Sequence, residues 1–109
     1  MTTEDNAHAG QGAVVLDIGD QIGALVVHTP DALIGAEIEA RSLDSPCAAH
    51  AAVLERPTPR GIRYSAIIAA LPAGNYALHR LPDGAEAVRV TVRGGAVIEI
   101  GWPIGAELG

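Results

Sequence analysis

Short runs of aliphatic and β-branched residues recur along the chain at roughly ten-residue intervals, and each is closed by Gly, Pro, Asp or Asn. The first, Ala13 to Ile18, and the second, Ile22 to His28, are joined by two or three residues around Gly19-Asp20, which predicts a hairpin. Pro30 and Gly35 bracket a short apolar patch that suits a turn or a single helical turn. In Ala36 to Arg41 the alternation is strict: Ile38 is predicted to face the core, and Glu37, Glu39 and Arg41 to face water.

After a polar loop holding Asp44, Pro46 and Cys47, a single run, His50 to Arg56, leads into the punctuating segment Pro57-Thr58-Pro59-Arg60-Gly61. The longest run, Ile62 to Leu71, contains Ala66-Ile67-Ile68-Ala69-Ala70, which would tolerate a helix. Flanking Gly61 and Pro72 and the paired isoleucines favour a central strand buried on both faces. Asn75 to His79 follows, with Tyr76 and Leu78 on one face. The alternating segment Ala87 to Arg93 then reverses at Gly94-Gly95 into Ala96 to Ile100, the pattern of a hairpin. Seven to eight strands with no repeat and no helix predict an all-β fold, a two-sheet antiparallel sandwich.

At 109 residues the chain fits one domain, read as 12–102, with a polar tail at 1–11 and a second tail at 103–109. There is no Phe, one Trp and two Tyr, so the core is predicted to be Val, Ile, Leu and Ala. Seven Arg against thirteen acids give a net charge of −6, which argues against nucleic acid as a partner. No apolar run is long enough to span a bilayer as a helix, and the first residues lack the basic and apolar regions of a secretory signal, so the expected location is cytoplasmic. With Cys47 as the one cysteine, no intrachain disulfide is available.

The segment Leu71-Pro72-Ala73-Gly74-Asn75-Tyr76-Ala77-Leu78 resembles the L-x-x-G-x-Y-x-L signature of transthyretin-like carboxypeptidase regulatory domains and of the B-type repeats of bacterial adhesins. The resemblance runs loosely through Ile100 and implies a transthyretin-like or immunoglobulin-like sandwich. It implies no activity, because one sandwich hosts many functions. The chain also resembles short uncharacterised proteins of high-GC Gram-positive bacteria in Gly12 to Gly19, His50 to Arg56 and Arg93 to Val97.

Candidate chemistry is sparse. His28, His50 and His79 stand at or near the ends of three strands, and Cys47 or Asp44 lies close to His50, so a Zn or Cu site built from His28, His50, His79 and Cys47 is one expectation. No H-x-H, H-x-x-x-H or C-x-x-C pair supports it, and His8 falls in the tail. Ser42, Ser45 and Ser65 lack a nucleophile elbow, and Cys47, three residues before His50, is the nearest approach to a thiol nucleophile. The hydroxyisourate hydrolases share the transthyretin fold, but their C-terminal Tyr-Arg-Gly-Ser is missing here, and Val27-His28-Thr29-Pro30-Asp31 only faintly resembles their N-terminal motif.

Glu37 with Glu39, and Arg89 with Arg93, read as solvated strand faces, Gly94-Gly95 as a turn, and Trp102 as a cap on the sandwich. The reading that follows is a protein without catalytic function and without a cofactor, acting by binding a protein partner or itself through a sheet edge. Histidine-based metal binding is the alternative.

Overall fold

The computed structural model describes residues 18–82 and 86–103. Eight strands, β1 (Ile22–His28), β2 (Glu37–Ser42), β3 (Ala48–Ala52), β4 (Leu54–Thr58), β5 (Gly61–Pro72), β6 (Gly74–Leu81), β7 (Glu86–Val92) and β8 (Val97–Gly101), form two four-stranded sheets. Sheet A has the order β4-β5-β1-β8 and sheet B the order β3-β2-β6-β7. All pairings are antiparallel except β1 with β8, which run parallel. The sandwich expected from the sequence is therefore present, with one parallel pair inside it. The single helical turn expected between Pro30 and Gly35 is a 3-10 turn at Asp31–Leu33, and it sends Leu33 into the core.

The inner faces follow the alternation of the sequence. Leu25 and Val27 from β1, Ile38 and Ala40 from β2, Ala66, Ile68 and Leu71 from β5, and Tyr76 and Leu78 from β6 meet in one aliphatic core. In β5 the inward phase steps by two and then by three. The register with β1 shifts between Gly23 and Leu25, so Ala69 and Ala70 together oppose Ala24, and this bulge carries Leu71 back inside. The expectation that this strand is buried on both faces is not met: Ile67 and Ala69 are half-buried and Ala70 is exposed, because the outer face of sheet A meets water.

The chain crosses between the sheets at several points, and each crossing has an identifiable device. The run His50 to Arg56, read as one strand, is two, because Val53 leaves sheet B and enters sheet A. Its side chain is fully buried, its N–H donates to the Ala36 carbonyl at 2.8 Å, and its own carbonyl accepts from Gly35 N–H at 2.8 Å. Pro57 and Thr58, read as connection, belong to β4, and the turn is closed by the Thr58 hydroxyl donating to Gly61 O at 2.6 Å. Between β5 and β6 the Tyr76 side chain, 1% exposed, reaches back so that its hydroxyl donates to the Pro72 carbonyl at 2.6 Å. This is a tyrosine corner, in which an aromatic residue at the start of one strand secures the backbone of the crossing just before it.

The expected hairpin of the last two strands does not form. β7 lies in sheet B, whereas β8 lies in sheet A beside β1. Two glycines make the difference. A Cβ on Gly94 would overlap the Asp20 carbonyl oxygen and come within 2.6 Å of its carbon, and one on Gly23 would overlap Arg93 O and come within 2.8 Å of Val92 Cγ1. Their bareness lets the turn sink against the start of β1, where Gly95, at φ +73°, donates to Ile22 O at 3.0 Å and Ala24 N–H donates to Ala96 O at 3.0 Å. Ile98 and Ile100 can then pack on the core opposite Leu25 and Val27.

Trp102 follows β8 and is 5% exposed, so it is part of the core. Its backbone N–H donates to His28 O at 2.7 Å, while its indole N–H has no hydrogen-bond partner among the described residues. The first apolar run, Ala13 to Ile18, and the hairpin expected of it lie outside the described residues apart from Ile18, which is in no strand. The two expected tails also lie outside them, except for Pro103.

Two predictions follow from the crossings, both readable from the fluorescence of the one Trp during urea denaturation. Gly94→Ala should destabilise the fold by about 2 kcal/mol or more, the cost of forcing volume into closed packing, whereas Gly19→Ala, with nothing within 4 Å of its Cβ, should change stability by less than about 0.5 kcal/mol. Tyr76→Phe should cost about 1–2 kcal/mol at neutral pH by leaving the Pro72 carbonyl unpaired. Burial, with the Cys47 thiol and Asp44 nearby, pushes the Tyr76 hydroxyl up to about 12. An unfolded tyrosine ionises near pH 10, so this contribution is complete below about pH 10 and is lost as pH rises toward 12. The Phe variant should show a shallower fall in stability over that interval.

Candidate functional site

The outer face of sheet B gathers most of the polar chemistry in cross-strand rows. The registers of β3, β2, β6 and β7 place His50, Glu39, His79 and Glu86 side by side in one row across the four strands. The neighbouring row is Ala48, Arg41, Ala77 and Arg89. Ala77 points outward but is only 3% exposed, consistent with the arginine stems on either side lying over it.

The charges in these rows are matched locally. Arg41 Nε donates to Glu39 Oε1, His50 Nδ1 pairs with Glu37 Oε1 at 2.7 Å, and Arg89 Nε donates to Glu86 Oε2 at 2.7 Å. The Arg89 hydrogen bond holds the Glu86 carboxyl below the usual carboxylate range, and Glu86 raises the guanidinium in return. His79 is largely buried between Glu39 and Glu86, its cross-strand neighbours.

At one end of this face, Leu43, Asp44, Asn75, Arg89, Val90 and Thr91 line an open groove of about 430 Å³. Its polar groups are already engaged. Asp44 Oδ2 accepts Asn75 N–H at 3.1 Å, and Asn75 Oδ1 accepts the Thr91 hydroxyl at 2.7 Å. It can take a small amphipathic group, but it aims no nucleophile or acid–base pair at one.

The residues expected to form a metal site are distributed over the molecule. His28 ends β1 on the outer face of sheet A, where Nε2 meets Glu99 Oε1 at 2.8 Å. His50 and His79 lie on the outer face of the opposite sheet, two strands apart with β2 between them. Cys47 sits beneath that face, beside the Tyr76 hydroxyl. The four do not converge, and among the described residues no group of three or more His, Cys, Asp or Glu is placed to hold a metal ion.

One arrangement was invisible in the sequence. His28 is the cross-strand partner of Ser65, so Ser65, His28 and Glu99 lie in succession on sheet A. The order resembles that of a hydrolytic triad, but Ser65 is 3% exposed, and its Oγ accepts Arg56 Nε at 3.3 Å while Arg56 also donates to its carbonyl at 3.3 Å. Burial lowers the Arg56 pKa, as expected for a guanidinium laid over the sheet. A serine so covered has no face open to a substrate, which fits a structural role.

Glu37 and Glu39 were read as a solvated face, and the structure gives them partners in His50 and Arg41. The signal was present in the spacing, since a hairpin closed over residues 42–47 sets Glu39 opposite His50. Arg93, expected beside Arg89 on one outward strand face, lies just beyond β7 in the crossing. Comparison with known proteins gives no match: no family model fits the chain, and no curated protein and no solved structure matches it.

Proposed function

We propose that this chain is a non-catalytic interaction module of the transthyretin-like or immunoglobulin-like kind, acting in the cytoplasm, that engages a protein partner by main-chain pairing at a sheet edge. The observation that carries this reading is the contrast between faces and edges. On the outer face of sheet B, Glu37, Glu39 and Glu86 are already engaged within the molecule by His50, Arg41 and Arg89, and exposed pairs of this kind offer a partner little. The edges are different. Sheet A ends at β4 and β8 and sheet B at β3 and β7, so each strand has one row of backbone donors and acceptors directed away from its own sheet.

Strand addition at such an edge derives its affinity from backbone hydrogen bonds and its specificity from alternate side chains, and it needs neither cofactor nor pocket. Leu54 on β4, 45% exposed, supplies apolar contact beside one of the edges.

The reading is tested by selecting bound peptides from a random display library and then challenging the binding with substitutions. Proline or lysine on the partner-binding edge strand should weaken binding at least tenfold, whereas Arg41→Ala on the outer face of sheet B should leave it within about fivefold, since an exposed ion pair contributes at most ~1 kcal/mol. Binding lost in the Arg41 variant and retained in every edge variant would overturn it.

A further inference from the structure

We infer that β3 is a homodimerisation edge, pairing antiparallel with β3 of a second copy about a two-fold axis at His50. This deepens the edge-binding reading and rests on it. The backbone pattern of β3 can be read from its two ends. Ser42 N–H donates to Cys47 O and Val53 N–H donates to Ala36 O, both at 2.8 Å, so 42/47 and 36/53 are hydrogen-bonded pairs of one register. Alternation between them assigns Ala49 and Ala51 to β2 and leaves the N–H and C=O groups of Ala48, His50 and Ala52 pointing off the sheet.

These three positions are self-complementary. The strand reads Ala-Ala-His-Ala-Ala, symmetrical about His50. An antiparallel partner in the register that sets His50 against His50 also sets Ala48 against Ala52 and Ala52 against Ala48, so every outward backbone group of the strand is paired, with roughly six hydrogen bonds formed. The small alanine side chains offer no bulk at the seam. The two imidazoles would face each other at the axis, each with its Nδ1 already engaged by its own Glu37 at 2.7 Å and so held in place.

The other three edges carry features that obstruct such pairing. β4 contains Pro57 with Glu55 and Arg56 beside it, β7 is bulged where Leu78 and His79 meet it and bears the Glu86–Arg89 pair, and β8 has Glu99 at its centre, which a two-fold axis would set against its own copy. β3 has no proline, no bulge and no Lys, Arg, Asp or Glu. At its C-terminal end Ile34 and Leu54, 52% and 45% exposed, flank the Val53 crossing and add apolar surface near the same edge.

The experiment is sedimentation of the full chain across a range of concentrations. The wild-type protein should approach twice its 11.1 kDa mass. His50→Lys, which leaves a hydrogen-bond donor beside Glu37 but sets two ammonium groups at the axis, should raise the dissociation constant at least tenfold. Ala52→Pro, which removes an outward N–H, should do the same, while Val97→Lys on β8 should leave it unchanged. Circular dichroism identifies a variant that fails to fold, and His50→Lys, on an exposed outer position, tests the edge independently of Ala52→Pro.

A dimer that survives both β3 substitutions and dissolves with Val97→Lys overturns the assignment to β3 while edge pairing itself stands. A wild-type chain that stays monomeric at every concentration overturns the dimer, and peptide selection then decides separately whether the edges bind at all.

Discussion

The structure depends on carrying one chain repeatedly between two sheets, and the hydrogen bond from the Tyr76 hydroxyl to the Pro72 carbonyl secures the most demanding of those passages. β5 is the longest strand of sheet A and β6 lies between β2 and β7 in sheet B, so the corner between them joins two strands that each pair on both sides. A turn that swung freely there would let the sheets slide over each other. Tyr76 prevents this because its ring fills the core while its oxygen reaches the backbone of the crossing, so packing and polar satisfaction are met by one side chain.

The other crossings obey the same constraint by different means. Val53 is a buried pivot whose N–H and C=O are both bonded to the Gly35–Ala36 segment, and Gly23 and Gly94 replace side-chain contact with close backbone approach. The core needs no large residues under these conditions. With Ala40 and Ala66 fully buried, the two inner faces are filled by aliphatic side chains of modest volume around one tyrosine and one tryptophan.

Most of the strands were legible in the sequence because alternation has a physical cause: a strand with one wet face must alternate. That logic located β1, β2, β6, β7 and β8 to within two residues at either end. It failed where two physical situations share one pattern. A buried pivot such as Val53 looks like the middle of a continuous apolar strand, and a glycine pair that turns a hairpin looks like one that lets a crossing sink against a neighbouring strand. Which occurs is decided by the distant Gly23 and Asp20, which no local window contains. The polar face was legible only as separate residues, since the row His50, Glu39, His79, Glu86 exists only once three strand registers are fixed. The dispersal of His28, His50, His79 and Cys47 has the same origin, because sheet membership and facing direction decide which strand ends meet.

The parallel contact between β1 and β8 has a consequence for the order in which the molecule can be made. β1 is the first strand described and β8 the last, and the bond from Trp102 to His28 lies still later in the chain. Until β8 has been made and has returned to sheet A, one edge of β1 therefore stays unpaired. A pairing of such wide sequence separation carries a high entropic cost of loop closure and forms slowly. Until that contact closes, the free edge of β1 is open to pairing with another chain, and a chain interrupted before Val97 would leave β1 without its neighbour on that side.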